Sequence, residues 1–196
     1  MKLILGTAEF GPVPYGTAKD PVPLAEIDGI LNLAAKGGIT ILEGSEYYGC
    51  DVVLQNPKFD VIYKVDSPYS LDRCLMNTGR NRFMGLLYHH HDAHTKAQMP
   101  QKDPRVSYVG SAVYSHSQIL GSEDMIQVPL NIDNREFEKV TAPVKIVRSI
   151  FGRGELLKKY SVKECLDFVK GNPTVHGVIV GVNSKAELEE VLKAWL

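Results

Sequence analysis

The sequence predicts a compact (β/α)8 barrel, the TIM-barrel form of the α/β class, with several outer helices shortened or missing. Three observations predict it: eight short apolar runs recur along 196 residues, the runs show little apolar/polar alternation, and helical patterns or short loops separate them. Strands buried on both faces look like this in parallel sheets covered by helices. The runs are residues 3–6, 39–42, 60–65, 84–89, 106–113, 124–130, 144–150 and 175–182.

Helical spacing and capping residues predict the helices between these strands. Apolar residues within 24–34 recur at helical spacing and stop before two glycines. Ser161 and Ser184 each stand three residues before a glutamate, which is the pattern of a capping box. Ser70 is placed to cap a further helix. The intervals after the second, fourth and fifth strands hold at most a turn or two of helix.

The length of the chain favours one domain over residues 1–196, although barrels of this kind usually need about 200 to 400 residues. We therefore expect a reduced barrel in which loops replace some helices. A doubly wound open sheet is the alternative. The first strand is not followed by a GxGxxG motif, which weakens a dinucleotide-binding fold of that second kind.

The composition is that of an ordinary globular protein, with 44% apolar and 23% charged residues and a net charge of −1. No basic stripe points to nucleic acid or to an anionic membrane. Three cysteines without a CxxC pair argue against a disulfide framework. The N-terminal apolar run is too short for a signal peptide, and no run approaches the roughly 20 residues of a membrane span. We expect a cytoplasmic protein.

Polar residues at the predicted strand ends indicate chemistry, because parallel barrels carry their active sites at the C-terminal ends of the strands. Lys64 lies inside the apolar stretch VIYKV and needs a partner if buried. Glu43 and Tyr48 could supply a carboxylate and a phenol. A cation lowers the pKa of a neighbouring phenol, and His89 could donate a hydrogen bond to a carbonyl oxygen that gains charge. Together these groups suggest proton delivery in carbonyl reduction.

Each of these residues also has a purely structural interpretation. Lys64 could extend its amine to solvent from a strand end, Tyr48 could be a packed aromatic, and His89 could be a hydrogen-bonded residue of the rim. The stretch LLYHHHDAH also raises a metal site and hence a metal-dependent hydrolase. Successive side chains on a strand point in opposite directions, so three consecutive histidines cannot bind one ion without a bend.

Motifs along the whole chain then resemble the aldo-keto reductase family, and more narrowly its bacterial branch that often accompanies surface-polysaccharide genes. The resemblance implies a barrel reductase that converts an aldehyde or ketone to an alcohol. The motifs, in order, are MKLILGTAEFGPVPYG, ILEGSEYYG, VIYKV, GLLYH, VGSAVYS, MIQVPLNIDNRE, IVRSIFGRGELL and VIVGVNSKAELEEVL.

The resemblance implies roles for individual residues. Tyr48 would be the proton donor, Lys64 would lower the pKa of Tyr48, and His89 would orient the carbonyl of the substrate. His90 is the alternative to His89 if the register slips by one residue. Glu43 stands where the family has the aspartate that pairs with the lysine.

The resemblance also implies the cofactor NADP(H). Gly6 and Thr7 would lie beside the nicotinamide ribose, and Gln127 would bind the carboxamide. The loop from Arg148 to Gly154 would cover the pyrophosphate. A helix N-terminus favours anions, so the start of the last helix would meet the adenosine-side phosphate. The residues expected at the loop and at this helix are Arg148, Ser149, Phe151, Gly154, Asn183, Ser184 and Lys185.

Four departures from the family pattern bear on function. The carboxylate of Glu43 has a longer arm than aspartate, and Gly44–Ser45 replaces Thr-Ala. Ala112–Val113 replaces the polar pair that binds nicotinamide, and Glu187 opposes a 2′-phosphate. These changes leave open an alternative, a catalytically impaired relative that acts as a ligand-binding or assembly protein.

The partner that the resemblance implies is a small-molecule carbonyl substrate whose identity the sequence does not reveal. Because the sequence ends just after the last helix, we expect an open, shallow pocket. Missing outer helices would leave apolar barrel surface uncovered, which favours self-association into a homo-oligomer.

Overall fold

The computed structural model describes residues 1–16, 19–65, 71–89 and 103–196, which form a closed barrel of eight parallel strands in chain order. Each strand pairs with its neighbours in sequence, and the last strand pairs with the first. The predicted (β/α)8 barrel is confirmed. The strands are β1 (Lys2–Gly6), β2 (Ile41–Ser45), β3 (Asp60–Val65), β4 (Phe83–His89), β5 (Val106–Ala112), β6 (Met125–Pro129), β7 (Val144–Arg148) and β8 (Gly177–Val180).

Four α-helices cover the described part of the barrel, and the predicted shortening of the others is confirmed where the chain is described. Only short 3-10 turns stand between β2 and β3, Glu46–Tyr48 and Asp51–Gln55, and between β5 and β6, His116–Gln118. Ser70 lies outside the described residues. The helices are α1 (Leu24–Lys36), α2 (Leu71–Thr78), α3 (Val162–Lys170) and α4 (Lys185–Trp195).

The two predicted capping boxes differ in the structure. Ser161 forms the complete box, since its side chain accepts from the backbone N–H of Glu164 and the Glu164 carboxylate accepts from the N–H of Ser161. Ser184 forms only half of one: its hydroxyl accepts from the N–H of Glu187. The Glu187 carboxylate accepts instead from the N–H of Asn183, one residue earlier. The Glu187 carboxylate thus binds the backbone just before α4 begins.

The barrel interior is filled by one apolar side chain from each strand. Side chains alternate along a strand, so the residue two positions later points the same way. In five strands that later residue is polar or charged, which places a ring of polar groups above an apolar floor, at the C-terminal mouth. The apolar residues are Ile4, Ile41, Ile62, Leu87, Ala112, Met125, Ile146 and Ile179, and the polar ones are Glu43, Lys64, His89, Gln127 and Arg148.

Lys145, on the outward face of β7, is a buried lysine that stabilises the fold. Lys145 has no solvent-exposed surface. Its ammonium donates to three backbone carbonyls and one hydroxyl, of Phe137, Glu138, Val140 and Thr174, at 2.7 to 3.1 Å. These hydrogen bonds hold the segment between β6 and β7 against β7. In the described ranges, no helix has the length and apolar character needed to cross a membrane.

The close approach of β5 and β6 generates a test of the barrel register. A Cβ on Gly110 would lie 1.6 Å from the carbonyl oxygen of Met125, which is backbone and cannot move alone. We expect Gly110→Ala to lower the free energy of unfolding by at least about 3 kcal/mol, measured by urea denaturation. Gly171→Ala is the control, because the nearest atom to its Cβ lies at 3.3 Å. A change below about 1 kcal/mol at Gly110 would contradict this packing.

Candidate active site

A buried lysine stands at the centre of the polar ring. Lys64 on β3 is 4% exposed, and Glu43 on β2 is 2% exposed. The two side chains form an ion pair. The Lys64 ammonium also donates to the hydroxyl of Tyr48 at 2.5 Å, and Gln127 Nε2 donates to Glu43 Oε1 at 2.9 Å. The structure therefore brings the predicted phenol, ammonium and carboxylate into direct contact.

Local structure places Tyr48 at this point. The hydroxyl of Ser45, the last residue of β2, accepts from the N–H of Tyr47 and opens a 3-10 turn over Glu46–Tyr48. Gly49 ends the turn in the left-handed region, at φ 65°. A Cβ on Gly11 would lie 2.0 Å from the Tyr48 carbonyl oxygen, so the loop after β1 can approach this turn only with glycine there.

The pKa of Tyr48 is raised above its usual value, so the lowering expected from Lys64 does not prevail in the free pocket. Burial is the main cause, because it removes water from the phenolate form, and the nearby Glu43 carboxylate adds to the effect. Arg148 acts in the opposite direction. The phenol therefore stays protonated in the free pocket. A protonated phenol is the form that a proton donor needs.

His89 lies at the end of β4, on the inward face that follows Leu87. Its ring is 6.2 Å from that of Tyr47, measured between centroids, and it does not line the pocket that Tyr48 lines. The neighbouring residues His90, His91, Asp92 and His94 lie outside the described residues. Within the described ranges, no group of three or more histidine, cysteine or acidic residues could hold a metal ion.

An open pocket with a cavity volume of about 150 Å³ extends from Tyr48 and Lys64 across the barrel mouth to the start of α4. Its lining includes Glu43, Tyr48 and Lys64, and also Glu187 in the first turn of α4. Six of the ten residues expected to bind a cofactor also line it: Gly6, Arg148, Ser149, Phe151, Gly154 and Asn183.

The other four expected cofactor residues have different surroundings. Thr7 is fully buried, and its oxygens accept from the Cys50 thiol. Gln127 is also fully buried, and its amide nitrogen is bonded to Glu43. Ser184 caps α4 as described above. Lys185 turns to Glu26: its N–H donates to one carboxylate oxygen at 2.7 Å, and its ammonium lies 3.8 Å from the other.

The loop after β7 forms one wall of the pocket and has an unusual backbone. Ser149 and Arg153 adopt φ of 60° and 58°, a left-handed conformation that is uncommon for residues other than glycine. The Asn131 side chain donates to the carbonyl of Ser149 at 2.9 Å and holds the loop. The Arg153 guanidinium lies 5.3 Å from the ring of Tyr15. These contacts place cationic groups along the wall.

Arg148 reaches across the mouth towards β5. Its guanidinium donates to the carbonyl of Val113 at 3.2 Å and lies 4.2 Å from the ring of Tyr114. Ala112 and Val113 are buried and offer no polar side chain, as the sequence indicated. At this position the pocket therefore presents a guanidinium, where the family pattern has small polar side chains.

Glu9 is a pocket residue that the sequence analysis missed. Its carboxyl packs against Gly181, where a Cβ would lie 2.0 Å from Glu9 Oε1. The pKa of Glu9 is raised to about 7, mainly by burial and further by Glu43 and Glu187, while its own backbone N–H and Lys64 act in the opposite direction. Its position in GTAEFG, just after the C-terminal end of β1, could have identified Glu9 as a site residue from the sequence.

The raised pKa of Glu9 generates a stability test. A carboxyl with a folded-state pKa of about 7 and an ordinary value of 4.5 loses its stabilising contribution as pH rises from about 4.5 to about 7. The Glu9→Gln variant should therefore gain stability relative to the unmodified protein across this range, by up to about 3 kcal/mol at pH 8. Urea denaturation at several pH values measures it. Glu189→Gln on the exposed side of α4 is the control, and a difference that does not change with pH would contradict the assignment.

The barrel is similar to solved structures of aldo-keto reductases. A candidate aldo-keto reductase from Pseudomonas aeruginosa matches with a TM-score of 0.80 at 19% identity, over 98% of this chain and 88% of that one. The glycerol dehydrogenase AKR11B4 from Gluconobacter oxydans matches at 0.74 and 14%, over 99% and 86%. The thermostable aldo-keto reductase Tm1743, in complex with epalrestat, matches at 0.68 and 18%, over 98% and 88%. No protein-family model and no curated protein matches this sequence. What the chain shares with these proteins is their fold.

Proposed function

We propose that this chain is a nicotinamide-dependent reductase of the aldo-keto reductase type, which converts an aldehyde or ketone to an alcohol. One observation carries the proposal: the Tyr48 hydroxyl lies 2.5 Å from the Lys64 ammonium, which is paired with Glu43. The three groups come from the ends of adjacent strands and line one pocket. A barrel shared with solved aldo-keto reductases agrees with the proposal.

The network delivers a proton. When bound, a reduced nicotinamide supplies the hydride that the carbonyl carbon accepts. Tyr48 gives its proton to the carbonyl oxygen, and the product is the alcohol. The phenolate that remains accepts a hydrogen bond from Lys64, which stabilises it at the half-buried position of Tyr48. A solvent proton then restores the phenol through Lys64.

Glu43 and Gln127 act on the position of Lys64. The Glu43 carboxylate neutralises the ammonium, and the Gln127 amide holds one oxygen of that carboxylate at 2.9 Å. Burial of an ammonium without a counter-charge would cost several kcal/mol and would drive loss of its proton. The pair therefore offsets this cost and holds the Lys64 ammonium next to the Tyr48 hydroxyl. His89, on the inward face of β4, is the proposed contact for the substrate oxygen.

The pocket would have room for a nicotinamide beside the Tyr48 hydroxyl, because Gly6 carries no side chain there. A Cβ on Gly6 would lie 3.1 Å from Ile179 Cγ2 and 3.7 Å from a Glu43 oxygen, so glycine leaves room beside the ion pair. The loop after β7 would cover the pyrophosphate, with Arg153 as the nearest proposed cation. Arg148 would meet the carboxamide end.

A second candidate is a relative that binds the ligand without turnover. Two observations favour it: Ala112 and Val113 lack polar side chains, and the Gln127 amide nitrogen is already bonded to Glu43, which leaves only its Oε1 for a ligand. Both weaken the grip on a nicotinamide carboxamide. Cofactor binding without reduction of any aldehyde or ketone in a broad panel would favour this candidate.

Replacement of the proton donor tests the reductase directly. Tyr48→Phe removes the acidic hydroxyl and keeps the ring, so we expect kcat for reduction to fall by about a hundred- to ten-thousand-fold while the cofactor Kd changes little. Loss of cofactor absorbance measures turnover, and isothermal titration measures binding. Tyr160→Phe is the control, because its hydroxyl bonds to Asp133, outside the pocket. Full activity in Tyr48→Phe would refute the assigned role.

Removal of the counter-charge tests the ion pair. Glu43→Gln leaves the Lys64 ammonium buried without a carboxylate, and we expect a loss of about 3 kcal/mol in the free energy of unfolding together with reduced kcat. The matched control is Asp60→Asn, which breaks an exposed ion pair with Arg82 at 3.7 Å. That change should cost less than about 1 kcal/mol. Equal losses in the two variants would argue against a buried, charged pair.

A further inference from the structure

The end of the pocket near α4 is rich in hydrogen-bond acceptors that have no donor. Glu9 Oε2 and Asn183 Oδ1 are both shielded from solvent and have no hydrogen-bond partner, and both residues line the pocket. The orientation of the Asn183 amide is fixed by Glu187, since a carboxylate can only accept and the amide nitrogen faces it at 3.4 Å. Buried acceptors without donors are costly unless a ligand supplies the missing hydrogens.

Three backbone donors of the same region are already bonded. The N–H of Asn183 donates to Glu187 Oε2 and the N–H of Lys185 donates to Glu26 Oε1, each at 2.7 Å. The N–H of Glu187 donates to the Ser184 hydroxyl at 3.2 Å. A helix N-terminus normally attracts phosphate through such groups. Here carboxylates of the chain itself occupy two of them.

The charged groups near the start of α4 also disfavour a phosphate there. Glu9 and Glu187 both line this part of the pocket, and they lie close enough together for the Glu187 charge to raise the pKa of Glu9. The Lys185 ammonium, the nearest cation on α4, points to Glu26 and does not line the pocket. Arg148 and Arg153 line the wall formed by the loop after β7, so a phosphate between Glu9 and Glu187 would bring its negative charge and further acceptors beside two carboxyl groups. A hydroxyl would bring donors and no charge.

The geometry points to a subsite for a neutral vicinal diol, formed by Glu9, Asn183 and Glu187, which excludes a phosphate at the same position. With the proposed function as its basis, this assigns the ligand as NADH, whose adenosine ribose carries two free hydroxyls, in preference to NADPH, whose 2′-phosphate replaces one of them. The expectation of NADP(H) from sequence resemblance is thereby narrowed to the unphosphorylated cofactor.

Isothermal titration of the full chain with NADH and with NADPH, at one ionic strength and at pH 8, above the Glu9 pKa of about 7, tests the subsite. We expect NADH to bind at least about tenfold more tightly, which corresponds to about 1.4 kcal/mol. Glu187→Gln keeps the shape and removes the charge, so it should reduce the preference mainly by tightening NADPH. Glu9→Gln should do the same. The matched control is Glu189→Gln, which removes a charge from α4 outside the pocket and should leave the ratio unchanged.

Each outcome decides something definite. Equal affinity for the two cofactors, or tighter NADPH, overturns the diol subsite and leaves the proposed reductase standing. A preference for NADH that persists unchanged in both Glu9→Gln and Glu187→Gln overturns the assignment to these residues. Failure of both cofactors to bind overturns the subsite and the proposed function together. Circular dichroism of each variant verifies that it is folded.

Discussion

A charged lysine buried inside a barrel must have a counter-charge, and this requirement organises the mouth of the protein. An ammonium without a partner in such a place would cost several kcal/mol. Glu43 supplies the charge from the neighbouring strand, and Gln127 reaches across the barrel to hold Glu43. The Lys64 ammonium also donates a hydrogen bond to the Tyr48 hydroxyl, at 2.5 Å. The proposed proton donor is thus positioned by the same ion pair that stabilises the buried lysine.

The alternation of the strands turns this pair into a site. Each strand contributes one apolar residue to the interior, and five strands place a polar residue two positions later. The apolar floor excludes water from below, and the polar ring faces the pocket above it. Reduction of outer helices to short turns, as between β2 and β3, does not disturb this order, since the strand register alone sets it. A barrel can therefore lose part of its outer layer and still keep a mouth of defined chemistry.

Much of this arrangement can be predicted from sequence. The eight strands follow from apolar runs without alternation, and the contact of Glu43, Lys64 and Tyr48 follows from their places at consecutive strand ends. Other features depend on contacts between segments distant in the chain. Glu9 sits on a turn after β1, and only its packing on Gly181, after β8, reveals it as a pocket residue. Lys145 resembles Lys64 in its strand context, yet it is satisfied by carbonyls and takes no part in the site. Arg148 turns to the Val113 carbonyl, a contact that no local pattern encodes.

Proton delivery by Tyr48 can be measured in a single turnover, with protein in excess of a reduced nicotinamide and an aldehyde added by rapid mixing in H2O and in D2O. If the phenol supplies the proton as the hydride moves, reduction occurs in one fast phase, slows in D2O, and loses this phase when Tyr48 becomes phenylalanine. Reduction that is equally fast in both solvents and unaffected at Tyr48, or no reduction of any carbonyl with bound cofactor, would contradict a proton-delivery network built on the buried lysine.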